Sequence, residues 1–472
     1  MKMKLTLAAF AAVIGLGSAA SGPVLGQATT PEWRNFSQSD LQAVSTRDLT
    51  RRVLAKHSIG EVRRAAEQGD AEAAWVLSYA HKQGMGGLRR NAGEAYRWSR
   101  ISCDRGSQRG CNALAYNLDG GVGVEQNRFE AMTYFERTCA QGTASSCSAV
   151  AAAYYNGDSA FIRKYDEALK YRIRGCDLGS AAQCRIAGDM TSAGEGTEKD
   201  TMRAHKLYAR GCDGKNALSC FQAARVLERD APRGAASAFG PISTYYERGC
   251  ALDQKDSCFN RGIIENEGKF GRPRSTLAAV PWMEKACELK SPDACYNLGS
   301  WLIDGRAGRT DGRRAIELLG PLCLRDKSPD IQACNNAGTA AYRGSGMPAP
   351  DYESARKFYT RACYEGGLTA SCRTLSDMYR DGQIRASEVG EAQWLDAQLC
   401  FKSNEEAYCK PNTRQYTILQ QADGGNYMNA SRLAAGLCVQ GDSQACRAEF
   451  LLKACAEQSD NSAIRRSCQT AF

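Results

Sequence analysis

The spacing of the cysteines constrains this chain more than any other feature. The chain has 22 cysteines in 472 residues, and twenty of them fall into consecutive pairs. The two cysteines of a pair are eight residues apart in seven cases and nine or eleven apart in three. The first cysteines of successive pairs recur every 36 to 40 residues. This regular period predicts a tandem repeat rather than one globular core.

The ten pairs share this frame, and an eleventh pair lies beyond it at a wider spacing. The pairs of the frame are Cys103 and Cys111, Cys139 and Cys147, Cys176 and Cys184, Cys212 and Cys220, Cys250 and Cys258, Cys287 and Cys295, Cys323 and Cys334, Cys363 and Cys372, Cys400 and Cys409, and Cys438 and Cys446. The last pair is Cys455 and Cys468. We expect it to close a C-terminal cap.

Each pair predicts two helices joined by a tight turn. On one continuous helix, cysteines eight residues apart would be about 12 Å apart along the axis. A disulfide allows only roughly 4.4 to 6.8 Å between Cα atoms, so the chain must turn back between them. Glycines suited to a left-handed helix C-cap stand in this turn. They are Gly69, Gly106, Gly142, Gly179, Gly366 and Gly441.

The helix that carries the first cysteine, here called helix B, has a large apolar residue five positions before that cysteine. These residues are Trp98, Tyr134, Tyr171, Leu207, Tyr245, Trp282, Leu318, Phe358 and Leu395. They fall on the cysteine's face of the helix. We interpret them as packing between helices rather than as a ligand cage.

The helix that carries the second cysteine, helix A, has a small residue four positions after it. The residues are Ala115, Ala151, Gly188, Ala224, Gly262, Gly299, Gly338 and Ser376. This predicts close helix contact, so leucine at Gly299 should overpack the interface. Alanine at the same position is expected to be tolerated or even stabilising.

These patterns predict an all-α protein, a disulfide-stapled α/α superhelical solenoid of about ten to eleven repeats of 36 to 38 residues over residues 61–450. Ala66 and Ala74 keep the frame without thiols, as a terminal repeat would. Residues 29–60 are expected to form an N-terminal cap and residues 451–472 a C-terminal cap.

The N-terminus predicts export. Lys2 and Lys4 precede an apolar run over residues 5–16 that is too short to span a bilayer, which is typical of a signal peptide. Cleavage after Ala20 and cleavage after Ala28 are both compatible with the small residues there, which places the signal peptide within residues 1–28. The many cysteines suit an oxidising compartment, periplasmic or extracellular. No later stretch is apolar enough for membrane insertion.

The charge of the chain limits its partners. The net charge is +9, and it falls to +7 when Lys2 and Lys4 leave with the signal peptide. Acidic and basic residues are mixed along the sequence, so nucleic acid is not an expected partner. We expect a monomer.

Two stretches resemble a known family. They are the run Ala286 to Gly299, with the sequence ACELKSPDACYNLG, and the turn Gly121 to Val124. They resemble the Sel-one-like repeat (SLR) superfamily, in particular its disulfide-stapled branch, the Helicobacter cysteine-rich proteins, over roughly residues 60–450. The resemblance implies a tetratricopeptide-like solenoid. It also implies either an adaptor that holds proteins or peptides on a concave face or, as described for some cysteine-rich members, a protein that binds or slowly hydrolyses penicillins.

Catalytic motifs are weak. One S-x-x-K sequence, the pattern of penicillin-interacting serine enzymes, runs from Ser354 to Lys357. An S-D-N sequence at residues 459–461 is not followed by K-T-G. Since Ser354 falls in an ordinary repeat, we interpret Ser354 and Lys357 as surface positions of a helix and treat them only as weak catalytic candidates.

Metal and cofactor sites are not expected. No CxxC motif occurs, and His57, His81 and His205 lie in different repeats at unrelated spacings. The cysteine spacings are structural rather than redox-active, and no phosphate-binding loop is present. The leading hypothesis is therefore an exported scaffold, not an enzyme, that binds a protein, peptide or cell-wall fragment in its groove. The alternative is a weak penicillin-binding β-lactamase.

The first prediction concerns disulfide connectivity. We expect eleven disulfides that join consecutive cysteines, because a repeat of this length brings only sequence neighbours together in every unit. Peptide mapping under non-reducing conditions measures this directly. Recovery of a pair from different turns, such as Cys111 with Cys139, would contradict the stapled geometry.

Overall fold

The computed structural model describes residues 46–157, 160–232, 234–385, 391–403, 406–410, 413–423 and 426–457. These ranges contain 23 α-helices and two short 3-10 helices, with no strand among them. The expected signal peptide, Cys468 and the S-D-N sequence lie outside the described residues. No described helix combines the length and apolarity that crossing a membrane requires.

The helices are numbered in chain order. They are α1 Thr46–Lys56, α2 Ile59–Glu67, α3 Ala71–Gln83, α4 Ala92–Asp104, α5 Gln108–Gly120, α6 Arg128–Ala140, α7 Ala144–Asn156, α8 Tyr165–Asp177, α9 Ala181–Ala193, α10 Thr201–Asp213, α11 Ala217–Asp230, α12 Phe239–Ala251, α13 Lys255–Glu267, α14 Thr276–Glu288, α15 Pro292–Asp304, α16 Gly312–Cys323, α17 Ile331–Arg343, α18 Tyr352–Tyr364, α19 Thr369–Arg380, α20 Glu391–Ser403, α21 Arg414–Asp423, α22 Tyr427–Cys438 and α23 Ser443–Glu457.

Contacts divide the chain into two compact units, Met1–Ile162 and Arg163–Phe472. Within each unit a helix packs mainly against the next helix in sequence, as expected for a solenoid. The predicted all-α repeat fold is confirmed.

The turn between α4 and α5 shows how a helix pair is built. Gly106 is left-handed, with φ 91°. Its N–H donates to the Cys103 carbonyl at 2.9 Å, and the Ser107 N–H donates to the Ser102 carbonyl at 3.0 Å. This is the Schellman arrangement that ends a helix. The Ser107 hydroxyl then accepts from the Gly110 N–H at 3.0 Å, so one serine ends α4 and caps α5.

The turn brings the cysteines of each pair together. In all ten pairs of the frame the sulfurs are bonded, and the Cα atoms lie between 4.3 and 4.9 Å apart. The residue before each cysteine is commonly small, as in Ser102 with Gly110 and Ala286 with Ala294. Small side chains here allow the two helices to approach to disulfide distance.

The left-handed residue differs from the prediction in one turn, and other turns reach this conformation without glycine. Gly366 does not have a positive φ, and Gly367 takes the left-handed position instead, with φ 61°. The Cys363–Cys372 pair is nine residues apart, so the extra residue moves the turn by one position. In three other turns the position belongs to Lys215, Asp253 and Lys290, which adopt φ between 60° and 65° without glycine.

Both ends of the array depart from the regular pairs. In the thiol-free turn, Ala66 and Ala74 are fully buried, and α1 contributes Leu49 and Val53 to the same core. At the other end, α23 runs without interruption through residue 450. The start predicted for the C-terminal cap therefore falls inside a helix.

The small position on helix A lies against the next helix B. A Cβ added at Gly299 would be 2.7 Å from Leu319 Cγ, and Gly188 and Gly338 contact tyrosine rings in the same way. The expected close contact is confirmed. A stabilising alanine at Gly299 required that its Cβ meet no close contact, and this condition is not met, because the Cβ would press on Cγ of the fully buried Leu319.

The second prediction concerns this contact. Gly299→Ala should destabilise the protein by roughly 1–3 kcal/mol through overpacking, and Gly299→Leu should destabilise it more. Gly436→Ala is the matched control, because Gly436 is an exposed residue inside α22 and its added Cβ would meet no other part of the structure within 4 Å. It should be neutral or stabilise by up to about 1 kcal/mol. Circular dichroism melts measure all three, and a Gly299→Ala variant as stable as wild type would contradict the close contact.

Candidate functional site

In the unit Met1–Ile162, helices α5, α6 and α7 line a half-open cavity of about 260 Å³. We call it the aromatic cleft and define it by its aromatic and other apolar side chains. They are Tyr116 of α5, Met132 and Phe135 of α6, Ala149, Ala152 and Ala153 of α7, and Phe161 after α7. The polar residues Asp119, Arg128, Ser148 and Asn156 complete the lining.

The cleft exists because α7 has a face of small side chains. Ala152 lies five residues after the second cysteine of its pair. The same position in other repeats holds Tyr116, Asp189, Arg225, Ile263, Ser300, Thr339 and Asp377. Every one of those side chains is larger than alanine. The features that the repeats share do not indicate this site, because its signal in the sequence lies where one repeat departs from the others.

Aromatic rings form two walls of the cleft. The ring of Tyr116 meets that of Phe135 edge-on, with centroids 4.8 Å apart. Phe161 packs against Phe129 at 5.5 Å, and Phe129 is 66% exposed beside the cleft. Aromatic walls bind apolar side chains and rings through large contact areas.

Polar groups line the rim. The Arg128 guanidinium forms an ion pair with Asp119 at 3.1 Å and lies 5.4 Å from the Phe161 ring centroid. The Tyr116 hydroxyl donates to the Ser145 carbonyl at 3.3 Å. Burial raises the pKa of Tyr116, so its hydroxyl stays protonated at neutral pH. The arrangement can receive an apolar side chain and orient the polar groups next to it.

The weak catalytic candidates, Ser354 and Lys357, lie on the surface of a single helix. Ser354 and Lys357 lie on α18, and the shallow depression beside them is lined only by residues of that helix. The Ser354 N–H donates to Asp351 Oδ1 at 3.0 Å. Hydrogen bonds from the Ser354 side chain and backbone lower the pKa of Asp351. Ser354 therefore contributes to the cap at the start of α18.

The other predicted residues do not converge on a site. Of the apolar residues five positions before a cysteine, Trp98, Leu207, Leu318, Phe358 and Leu395 are buried, as expected for packing between helices. In the described part of the chain, no three histidine, cysteine or carboxylate side chains are placed to hold a metal ion.

Comparison with known families fits this architecture. The Sel1 repeat model matches residues 71–107, 108–143, 144–180, 180–216, 255–291, 292–323 and 331–367. The chain belongs to the Sel1 repeat family. Each match begins at helix A and ends at or after the end of helix B. A disulfide between two adjacent matches, such as Cys103–Cys111, therefore joins one Sel1 repeat to the next rather than the two helices of a single repeat.

One solved structure supports the fold alone, and two further proteins are similar to the chain. The chain is similar to a protective antigen of uropathogenic Escherichia coli strains with an SLR fold, at 18% identity and a TM-score of 0.57, over 88% of this chain and 90% of that one. It is also similar to a Sel1 repeat protein from Oxalobacter formigenes, at 18% identity and a TM-score of 0.49, over 69% of this chain and 93% of that one. Human cytochrome c oxidase assembly factor 7 is 42% identical over 62 residues, which are 13% of this chain and 26% of that protein. The chain thus spans about a quarter of the length of this relative.

The third prediction tests the weak catalytic candidate. Ser354 is hydrogen-bonded to Asp351 at the start of α18. Ser354→Ala should therefore hydrolyse a chromogenic β-lactam no faster and no slower than the oxidised wild-type protein. A spectrophotometric assay on both proteins measures this. Hydrolysis by wild type that disappears in Ser354→Ala would make Ser354 a nucleophile and revive the β-lactamase alternative.

Proposed function

We propose that this protein is an exported Sel1 repeat scaffold that binds a protein or peptide partner through the aromatic cleft. The observation that carries the proposal is the cleft itself, a cavity with aromatic walls beside Ala152, where other repeats have larger residues. Repeat scaffolds present extended surfaces of this type to partners. The role requires no catalytic group and no cofactor.

The size of the cleft favours a side chain over a free small molecule. Pockets for drug-sized ligands usually measure about 300–1,000 Å³, and this cavity measures about 260 Å³. It suits one aromatic or branched aliphatic side chain. The exposed Phe129 ring beside it offers further apolar contact, and the Asp119–Arg128 pair offers both charges to the backbone and polar side chains of a peptide.

Export is supported by the cysteines. Twenty of them form bonded pairs in the structure, and disulfides in this number persist in oxidising compartments such as the periplasm or the extracellular space. The partner is then a protein or peptide of the cell envelope or the exterior. A peptide of the cell wall satisfies the same chemistry.

The fourth prediction tests the cleft by filling it. Ala152→Tyr should abolish partner binding without unfolding the protein, because Tyr116 already occupies the same helix position in the preceding repeat. Wild type and variant serve as baits on cell-envelope extract, and captured proteins are quantified by mass spectrometry. We expect at least one wild-type partner to drop by tenfold or more with the variant.

The matched control is Ile263→Tyr, which places the same side chain at the same helix position in the other unit. It should keep the partner. Equal capture by wild type and Ala152→Tyr, with equal melting temperatures, would show that partners do not use the cleft.

A further inference from the structure

The repeat before the aromatic cleft has polar residues in its core. Asn117 on α5 lies six positions after the second cysteine of its pair and is 1% exposed. The same position holds an apolar residue in seven other repeats, namely Ala153, Met190, Val226, Ile264, Trp301, Ala340 and Met378, and a second amide, Gln415, after Cys409. A buried amide in an apolar position costs free energy unless its polar atoms are bonded, so its partners identify its role.

Ser99 makes the space for this amide. It lies four positions before the first cysteine and is fully buried on α4. Six other repeats have a large aromatic or aliphatic residue at that position, and they are Phe135, Tyr208, Tyr246, Met283, Leu319 and Tyr359. Asn117 Nδ2 donates to Ser99 Oγ at 3.1 Å, and Ser99 Oγ donates to the Tyr96 carbonyl at 2.7 Å. The amide is thereby held in one orientation.

That orientation directs the amide oxygen of Asn117 at Lys82 of α3. Lys82 Nζ donates to Asn117 Oδ1 at 3.1 Å. The lysine is half-buried, and burial lowers the pKa of its ammonium. No carboxylate of the described residues forms an ion pair with it, in contrast to Lys285, which pairs with Asp253 at 2.9 Å.

The ammonium is therefore oriented by Asn117 and has no ion-pair partner among the described residues. An ammonium has three N–H donors, and Asn117 accepts one of them. Beside Lys82, His81 is 6% exposed, and neither of its ring nitrogens has a hydrogen-bond partner in the described structure. Burial lowers the pKa of His81 as well, so it stays neutral and does not compete with Lys82 for an anion.

The geometry points to a carboxylate site: we propose that Lys82, held by Asn117, binds a carboxylate of the same peptide whose apolar side chain fills the aromatic cleft. The inference rests on the proposed function. Lys82 and the aromatic cleft flank helix α5. Asn117 of this helix contacts α3 and α4, while the adjacent residue Tyr116 lines the cleft. A single point charge matches a carboxylate, whereas a phosphate carries about two negative charges and favours arginine forks.

The test uses full-length oxidised protein and defined peptide pools. Random octapeptides are prepared with a free or an amidated C-terminus, each with or without Asp and Glu, and the retained peptides are quantified by mass spectrometry. The amidated pool with Asp and Glu isolates side-chain carboxylates, and the free pool without them isolates the terminal carboxylate. We expect the wild-type protein to retain at least one of these two pools more strongly than the amidated pool without Asp and Glu, which contains no carboxylate.

Lys82→Met removes the charge and keeps the length of the side chain. It should weaken retention of the carboxylate peptides roughly tenfold to a hundredfold, the usual range for a charge-assisted hydrogen bond. Lys206→Met is the control, because Lys206 is an exposed lysine of α10 in the other unit, and it should change nothing. Circular dichroism melts establish that both variants fold.

The outcomes separate the two proposals. If wild type retains apolar peptides that Ala152→Tyr loses, but a carboxylate or Lys82→Met makes no difference, the carboxylate site is refuted and the cleft stands. If no pool is retained by wild type above an Ala152→Tyr background, both proposals fail. Enrichment of carboxylate peptides that survives Lys82→Met also refutes the assignment to Lys82.

Discussion

The fold depends on the short turn that ends one helix and begins the next. At Gly106 and Ser107 a left-handed residue is followed by a serine that closes the Schellman bonds of α4 and caps α5. Two helices leave this turn so close together that their cysteines bond. Repetition of the turn sets the period of the array and places each helix B against the following helix A.

The disulfide at this turn links consecutive Sel1 repeats, and this position determines how the array is stabilised. Closure of a nine-residue loop contributes about 2.5 kcal/mol in the chain-entropy model. Ion pairs also connect successive repeats, as in Arg210–Asp177 and Arg248–Asp213, both 2.9 Å long. Their side chains are exposed, and such pairs contribute about 0–1 kcal/mol. Covalent links and packing, rather than surface charge, therefore couple the repeats.

The sites proposed for binding arise where single repeats depart from the common pattern. Ala152 lines a cavity and is smaller than the residues at its position in other repeats. Asn117 places an amide at a position that is apolar in seven other repeats. Both changes lie away from the cysteines and the turn, so they alter the surface and the local core while the frame stays unchanged. A repeat fold tolerates such changes because each repeat contacts only its neighbours.

The sequence by itself determined the repeat frame, the pairing of the cysteines in ten turns and the small position on helix A. These features are local, since a turn of about eight residues and a helical period are encoded by neighbouring residues. It did not determine that Gly367 rather than Gly366 is left-handed, because the longer spacing of that pair left two positions open. Only the tertiary structure decided that Leu319 lies against Gly299 and that Asn117 accepts a hydrogen bond from Lys82. It also decided that three alanines of α7 line one cavity with Phe135 and Phe161. Those contacts join residues from different helices, and their outcome depends on the shape and burial of both partners, which helix period and cysteine spacing do not encode.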